Sequence, residues 1–316
     1  MGKASKSKAD TGRQARIAAQ RAAEKRAERR RRVLIAVGSV VVIVAVVVTF
    51  VLVKANSKAG PAASVSNGPT GAPLTSLVNE VTNVPASTLD SIGGGSVQSG
   101  DVGPGSNANQ DFLTPESGTT LTAADGKPEV LYIGAEYCPF CAAERWAMIV
   151  ALSRFGTFKG LSTVHSSSTD TDANTPTFTF YGATYTSKYL SFVSVETTRN
   201  YRIGNSTSPN VNYVPLQTPT SAENALLTKY DPSQYIPFID VGNQYVQVGD
   251  LAGYDPTTID GLSWSQIGAD LSNPSSPVAK AIDGSANYLT AAICKLTGNE
   301  PASACTPAVK ALEAKL

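Results

Sequence analysis

The chain has 316 residues and a net charge of only +1, but this charge is distributed unevenly. Residues 1–32 contain twelve Lys or Arg and three acidic residues, so this segment carries +9 and the remaining residues carry −8. A negative main body is not expected to bind nucleic acid. We interpret the basic segment as a cytoplasmic flank that faces lipid headgroups, with an arm for nucleic acid or a protein partner as the alternative.

Residues 33–53 form an uncharged apolar run of 21 residues, which is long enough to cross a bilayer as a helix. Four arginines, Arg29 to Arg32, precede this run, and only Lys54 and Lys58 follow it closely. The positive-inside bias therefore predicts a cytoplasmic N-terminus and an extracytoplasmic C-terminal part. A cleaved signal peptide is the alternative, but the run is long for one and no small-x-small cleavage site follows it. The sequence thus predicts a single-pass membrane protein anchored in lipid.

Residues 54–110 are rich in Gly, Ser, Pro and Asn, a composition that does not bury a core of its own. We predict a flexible extracytoplasmic linker here. Spaced apolar residues interrupt it at 74–92, and they predict a short helix that docks on the following domain.

Residues 111–316 are predicted to form one globular α/β domain. Strand-forming residues occupy 130–135, and the segment 141–155 is predicted to be a helix because it contains neither Pro nor Gly. Further along the chain we predict a strand at 161–164, a long hairpin of 178–181 with 189–195, a helix at 221–230, a hairpin of 236–240 with 244–248, and helices at 264–271 and from Pro277 onwards.

Cys138-Pro139-Phe140-Cys141 lies at the junction of the first of these strands and the first helix. This position puts the first sulfur near the unpaired N–H groups of the helix N-terminus, which favour the reactive thiolate over the thiol. A structural disulfide and half of a zinc site are the alternatives. A four-cysteine zinc site needs a second closely spaced pair, whereas ten residues separate Cys294 from Cys305. We therefore predict a redox-active pair.

Cys294 and Cys305 are predicted to form a structural disulfide, which suits an exported domain because disulfides persist in oxidising compartments. By the loop-entropy argument this bond stabilises the fold by about 2–3 kcal/mol. A relay that passes electrons to the first pair is the alternative. His165 is the only histidine, and we expect it to be solvated at a strand end rather than a metal ligand. No metal and no cofactor are predicted.

Two segments, GAEYCPFCAAERW and IPFIDVGNQYV, resemble the aromatic-Cys-x-x-Cys signature and the proline-led hairpin of the thioredoxin-like superfamily. Together with the anchor and the IDGSANYLTAAICKLTG segment, the cysteine block looks more closely like a membrane-anchored family catalogued as domain of unknown function 929. The resemblance covers about 111–305. It implies a thioredoxin-like central sheet flanked by helices, with an insertion of roughly 60 residues at 166–230 and one transmembrane helix before the domain.

The resemblance also implies roles for individual residues. Cys138 matches the nucleophilic cysteine, Cys141 the resolving cysteine, and Pro237 the cis-proline that orients the substrate backbone. Pro176 is the alternative for this proline because its surroundings are equally thioredoxin-like. A predicted helix before Pro237 and a predicted strand pair after it match the order of the fold better.

The sequence departs from the thioredoxin pattern at Tyr132, where such proteins commonly bury a carboxylate that moves the proton of the resolving thiol. Glu136 is the candidate proton relay in its place, although its position favours a solvated loop carboxylate.

These observations predict a membrane-anchored, extracytoplasmic thiol–disulfide oxidoreductase that acts through the CPFC pair on exported proteins with thiols or disulfides. A redox partner in the membrane is a further candidate. The alternative is a non-catalytic cell-envelope binding module on a thioredoxin-like scaffold, which the missing carboxylate and the large polar insertion favour.

Overall fold

A computed structural model describes residues 64–97, 112–249 and 253–316. The predicted basic segment at 1–32 and the predicted membrane helix at 33–53 lie outside the described residues. Within the described ranges, no helix combines the length and the apolar character that a membrane span requires.

The described residues form a sheet and seven α-helices, which confirms a mixed α/β fold. The strands are β1 (Thr114–Pro115), β2 (Glu129–Gly134), β3 (Gly156–Lys159), β4 (Ser162–His165), β5 (Pro176–Thr179), β6 (Thr184–Ser187), β7 (Ser191–Glu196), β8 (Thr198–Arg202), β9 (Tyr213–Pro215), β10 (Phe238–Val241) and β11 (Tyr245–Val248). The helices are α1 (Gly71–Thr82), α2 (Ala86–Ile92), α3 (Pro139–Ser153), α4 (Ser221–Tyr230), α5 (Trp264–Asp270), α6 (Pro277–Leu296) and α7 (Pro307–Glu313), with 3₁₀ turns at Ile203–Asn205 and Pro256–Ile259.

A five-stranded mixed sheet forms the centre of the fold, in the order β1-β11-β10-β2-β7. Its third and fourth members, β10 and β2, are antiparallel, whereas β2 and β7 are parallel. Five of the six residues of β2 are buried, which matches its run of strand-forming apolar residues. Asn243 and Gly242 have positive φ and close the turn between β10 and β11, as their sequence predicts.

The pairing of β7 corrects the predicted hairpin of 178–181 with 189–195. Residues 191–196 instead run parallel to β2, from Ser191 beside Glu129 to Glu196 beside Gly134. The segment that was expected to pair with them forms β5, which pairs with β4. The reason is that alternating apolar residues predict a strand but do not select its partner.

This pairing also changes the bounds of the predicted insertion at 166–230, because that range contains β7, a strand of the central sheet. The additional chain therefore lies in two pieces. One runs from β3 to β6 and forms two-stranded pairs, β3 with β6 and β4 with β5; the other follows β7 and contains the β8–β9 pair and α4.

Helices α3 and α6 pack against each other beside the sheet, and both are almost completely buried. Helix α6 begins at Pro277, as predicted, because Ser276 caps it by accepting a hydrogen bond from the Val278 N–H. Trp146 of α3 anchors the apolar core and donates its indole N–H to the Pro176 carbonyl at 2.9 Å.

Residues 64–97, which were assigned to the linker, belong to the folded unit. The docking helix expected at 74–92 is confirmed, as α1 and α2 rather than one helix. Leu77, Val81 and Leu89 are buried in the main core, where α1 contacts α3 and α5, and α2 contacts α6. The predicted linker therefore does not extend through 64–97, while its remaining parts lie outside the described residues.

Candidate active site

Cys138 is the residue that joins the end of β2 to the first turn of α3. It serves as the N-cap with extended backbone angles, and Pro139 follows at the first helical position, where a missing N–H costs nothing. The Cys138 Sγ accepts a hydrogen bond from the Cys141 N–H at 3.2 Å. The sequence-based expectation that the helix N-terminus would hold the first sulfur is therefore confirmed.

The two thiols have opposite protonation tendencies. Burial alone would raise the pKa of Cys138, but the Cys141 side chain and N–H, together with the Arg145 charge, bring that pKa below its ordinary value. Burial and the neighbouring Cys138 raise the pKa of Cys141 well above its ordinary value. Cys138 is 5% exposed and Cys141 is fully buried. The arrangement thus favours ionisation of Cys138 over ionisation of Cys141, although both thiols are buried.

Pro237, and not Pro176, lies next to the cysteines. The Ile236–Pro237 peptide bond is cis, and the thiol of Cys138 donates to the Ile236 carbonyl at 3.8 Å. Pro176 is the first residue of β5, and the bond that precedes it is not among the cis bonds of the described residues. The structure therefore brings Cys138, Cys141 and Pro237 together.

A buried ion pair beneath the cysteines was missed by the sequence analysis. Arg145 binds Glu196 at the end of β7 through two N–H···O contacts of 2.8 Å, and its Nη2 also donates to the Ala135 carbonyl at 2.6 Å. Both side chains are fully buried. The available signal was the position of Arg145, one helical turn after Cys141 in an otherwise buried helix. Its acidic partner, 51 residues later, has no local signature.

Tyr132 and Glu136, the two residues that bear on the proton route, are both buried. Tyr132 packs its ring edge-on against Phe180, with centroids 5.1 Å apart. Glu136 is 1% exposed, so the expected solvated carboxylate is wrong. Its two oxygens accept hydrogen bonds from the hydroxyls of Thr179 (2.7 Å) and Ser64, groups that the sequence could not bring to this loop. Burial raises the pKa of Glu136 despite these bonds.

Aromatic side chains flank the reactive loop on its outer side. Tyr137 stacks on Tyr213 of β9 with centroids 4.0 Å apart and planes 6° apart. The guanidinium of Arg202 lies 4.1 Å from the centroid of the same Tyr213 ring. On the proline side, Tyr235 is 63% exposed. Aromatic side chains thus lie one residue before Cys138, at Tyr137, and two residues before Pro237, at Tyr235.

The other predicted site residues lie elsewhere. Cys294 and Cys305 form a disulfide with an S–S distance of 1.97 Å, which confirms the predicted pairing. His165 ends β4 as expected, but it is only 8% exposed, so the expected solvated state is wrong. Its Nδ1 lies 2.7 Å from the Ser166 carbonyl oxygen. The side chain is buried because β4 pairs with β5 and contacts Pro69 through Thr163.

Comparison with known proteins gives a family but no activity. Neither the curated proteins nor the solved structures contain a match to this chain. The family model described as "Domain of unknown function (DUF929)" matches residues 117–295, which include the reactive loop, the proline and Cys294. This match spans more than half of the 316 residues. The chain therefore belongs to the DUF929 family.

Proposed function

We propose that this protein is a thiol–disulfide oxidoreductase with a thioredoxin-like fold. The observation that carries the proposal is the environment of Cys138: its sulfur lies at the N-cap of a helix, has a lowered pKa and is 3.8 Å from the carbonyl oxygen of Ile236, the residue before Pro237. The strand order β7-β2-β10-β11, with the cysteines after the interior strand β2, supports the proposed fold.

The proposed reaction follows from the two thiols. The Cys138 thiolate attacks a substrate disulfide, a bond forms between Cys138 and one substrate sulfur, and the other substrate sulfur leaves and takes a proton. Cys141 then loses its proton and attacks the Cys138 sulfur. The mixed disulfide breaks, and the second substrate sulfur leaves and is protonated. Two electrons pass to the substrate, and the pair becomes a disulfide; oxidation of a dithiol substrate is the reverse sequence.

The backbone around Pro237 supports a role in holding an extended polypeptide. The exposed Tyr235 and the Tyr137–Tyr213 stack would contact residues on either side of the substrate cysteine. In line with the uncharged run at 33–53, we further propose that the substrates are exported proteins and that the domain works outside the cytoplasm.

The test is exchange with a disulfide-containing peptide, measured for the full-length protein with its CPFC pair reduced and for two variants. Cys138→Ser should abolish exchange, because it removes the attacking sulfur. The Cys294→Ala/Cys305→Ala double variant is the matched control and should retain exchange. If Cys138→Ser lost no more activity than the double variant, the proposal would be wrong.

A non-catalytic binding module is the second candidate, and the low exposure of Cys138 favours it. The pH dependence of Cys138 alkylation separates the two functions. A Cys138 pKa of about 8.5 or above supports the binding module, and one well below about 7 supports exchange.

A further inference from the structure

Two hydrogen-bond donors buried beneath the cysteines have no partner among the described residues: the Tyr132 hydroxyl and the Nη1 of Arg145. Both side chains are fully buried. Most buried donors in folded proteins are paired, and an unpaired one reduces stability. Two unpaired donors side by side therefore require an explanation.

Both groups lie where β2 passes into the reactive loop. The Tyr132 hydroxyl lies directly over Gly134, since a methyl group added at that glycine would overlap it. The Arg145 guanidinium holds the next residue, Ala135, by its carbonyl, and its carbon lies 5.9 Å from the centroid of the Tyr132 ring.

Cys141 is the reactive group that shares a helix with Arg145. It lies one helical turn before Arg145 on α3, so the two side chains project from the same face of the helix. Tyr132 is close enough that negative charge on Cys141 adds to the rise of its pKa, which burial causes in the first place. The positive charge of Arg145 opposes the rise in the pKa of Cys141.

We propose that the Tyr132 hydroxyl and the Arg145 guanidinium stabilise the thiolate of Cys141 while this residue resolves the mixed disulfide. The inference rests on the proposed function. In the resting protein neither donor is hydrogen-bonded to the Cys141 sulfur or to any other described atom, so both are still without a partner. They acquire one when Cys141 becomes an anion.

The step balances without an additional reactant. Cys141 gives its proton to solvent, and its sulfur then attacks Cys138. The departing substrate sulfur takes up a proton from solvent. Tyr132 keeps its own proton throughout, because its pKa is raised rather than lowered, so it acts as a hydrogen-bond donor and not as a base. Glu196 remains paired with Arg145 and holds the guanidinium in place.

The simpler explanation is that Tyr132 only fills the core next to Phe180. Tyr132→Phe distinguishes the two, because it keeps the ring and removes a hydroxyl that makes no hydrogen bond in the resting state. Under either explanation the variant should fold and should be at least as stable as the wild type.

The experiment has two readouts on the full-length protein. The first is the alkylation of Cys141 against pH in a Cys138→Ser background, where Tyr132→Phe should shift the midpoint upwards by about one to two pH units. The second is the release of a peptide from a preformed mixed disulfide with Cys138, which should slow by about tenfold or more at neutral pH.

Tyr254→Phe is the matched control. Tyr254 also contacts α3, but its hydroxyl already donates to the Ala143 carbonyl at 2.6 Å. This control should lower stability and leave both readouts unchanged. If Tyr132→Phe left the alkylation midpoint and the release rate at wild-type values, the inference would be overturned while the proposed function stood. If the wild-type protein formed no mixed disulfide through Cys138, the proposed function itself would fail.

Discussion

The two cysteine pairs lie at different ends of two helices that pack together, the first pair at the N-terminus of α3 and the second at the C-terminus of α6. Cys138 and Cys141 begin α3, where free N–H groups point at the sulfur, and both remain thiols. Cys294 lies in the last turn of α6, and its carbonyl accepts the Asn299 N–H at 2.6 Å as the chain turns towards Cys305. A helix N-terminus favours a thiolate, and a helix C-terminus does not. Cysteine is therefore present as a pair of free thiols at the helix N-terminus and as a disulfide at the helix C-terminus.

The surroundings of the two pairs differ in polarity. Near Cys141 there are a buried guanidinium and an unpaired hydroxyl, both polar groups retained inside the core. Cys294 and Cys305 instead belong to the apolar cluster with Val309 and Leu312 of α7. The first pair therefore lies next to buried polar groups, whereas the second lies among apolar side chains.

The first expected effect on stability concerns the second pair. The Cys294→Ala/Cys305→Ala double variant should lose about 2–3 kcal/mol of unfolding free energy, because the unfolded chain is released from an eleven-residue constraint. Chemical denaturation measures this loss. The pKa of Cys138, taken from alkylation in the same variant, should not change. A shift in that pKa, or a loss of exchange larger than the unfolded fraction explains, would indicate that the pairs act as a relay.

The next effect concerns the pH dependence of the unfolding free energy, which does not involve the first cysteine pair. Burial raises the pKa of Asp283, on α6, to about 8 from a model-peptide value of 3.8. Between about pH 4 and pH 8 the folded state keeps a proton that the unfolded chain has released. This contribution to stability is complete below pH 4 and is lost as the pH rises to about 8.

Asp283→Asn should therefore flatten the fall in unfolding free energy between pH 5 and pH 8, by at most about 1.4 kcal/mol per pH unit. Part of the slope should remain, because burial also raises the pKa of Glu144 to about 8. Denaturation curves at four pH values measure the slope. Asp260→Asn, at an exposed aspartate, should keep the wild-type slope. If the slope of Asp283→Asn equalled that of the wild type, ionisation of Asp283 would not reduce the unfolding free energy, and the prediction would be wrong.

The smallest effect concerns access to the first pair. Tyr213→Ala removes the ring that stacks on Tyr137, so alkylation of Cys138 under native conditions should accelerate about fivefold, corresponding to roughly 1 kcal/mol for one aromatic contact. Tyr189→Ala, which removes a partly buried tyrosine before β7, is the control and should leave the rate unchanged. Equal rates in the two variants would mean that the stack does not cover the sulfur.

Local patterns were sufficient where one segment determines its own structure. The strand at β2, the turn at Gly242 and the Pro277 start of α6 all follow from residues within a few positions. The helix α3 was predicted for the same reason at 141–155, whereas it begins two residues earlier, at Pro139, and ends at Ser153. The reactive loop was predictable for the same reason, since a Cys-x-x-Cys at a strand–helix junction specifies its own geometry.

Long-range pairing was not predictable in this way. β7 is separated from its partner β2 by more than fifty residues, and the hydrophobic periodicity of a strand does not identify the strand with which it pairs. Likewise, Glu136 was expected in solvent because the residues next to it in the sequence do not indicate that Thr179 and Ser64 bind it in the fold. The Arg145–Glu196 pair has the same character: each residue is an ordinary charged side chain until the fold brings them together.

The contacts of residues 64–70 have a practical consequence for preparing a soluble fragment. Asn200 of β8 bonds both the N–H and the carbonyl of Val65, at 3.0 and 2.7 Å, and Ser64 covers Glu136 beside the reactive loop. A fragment cut at residue 111, where composition suggests that the domain begins, would leave that carboxylate with one hydroxyl fewer and expose the core beneath α1 and α2. Expression for crystallisation or kinetics should therefore start no later than Ser64.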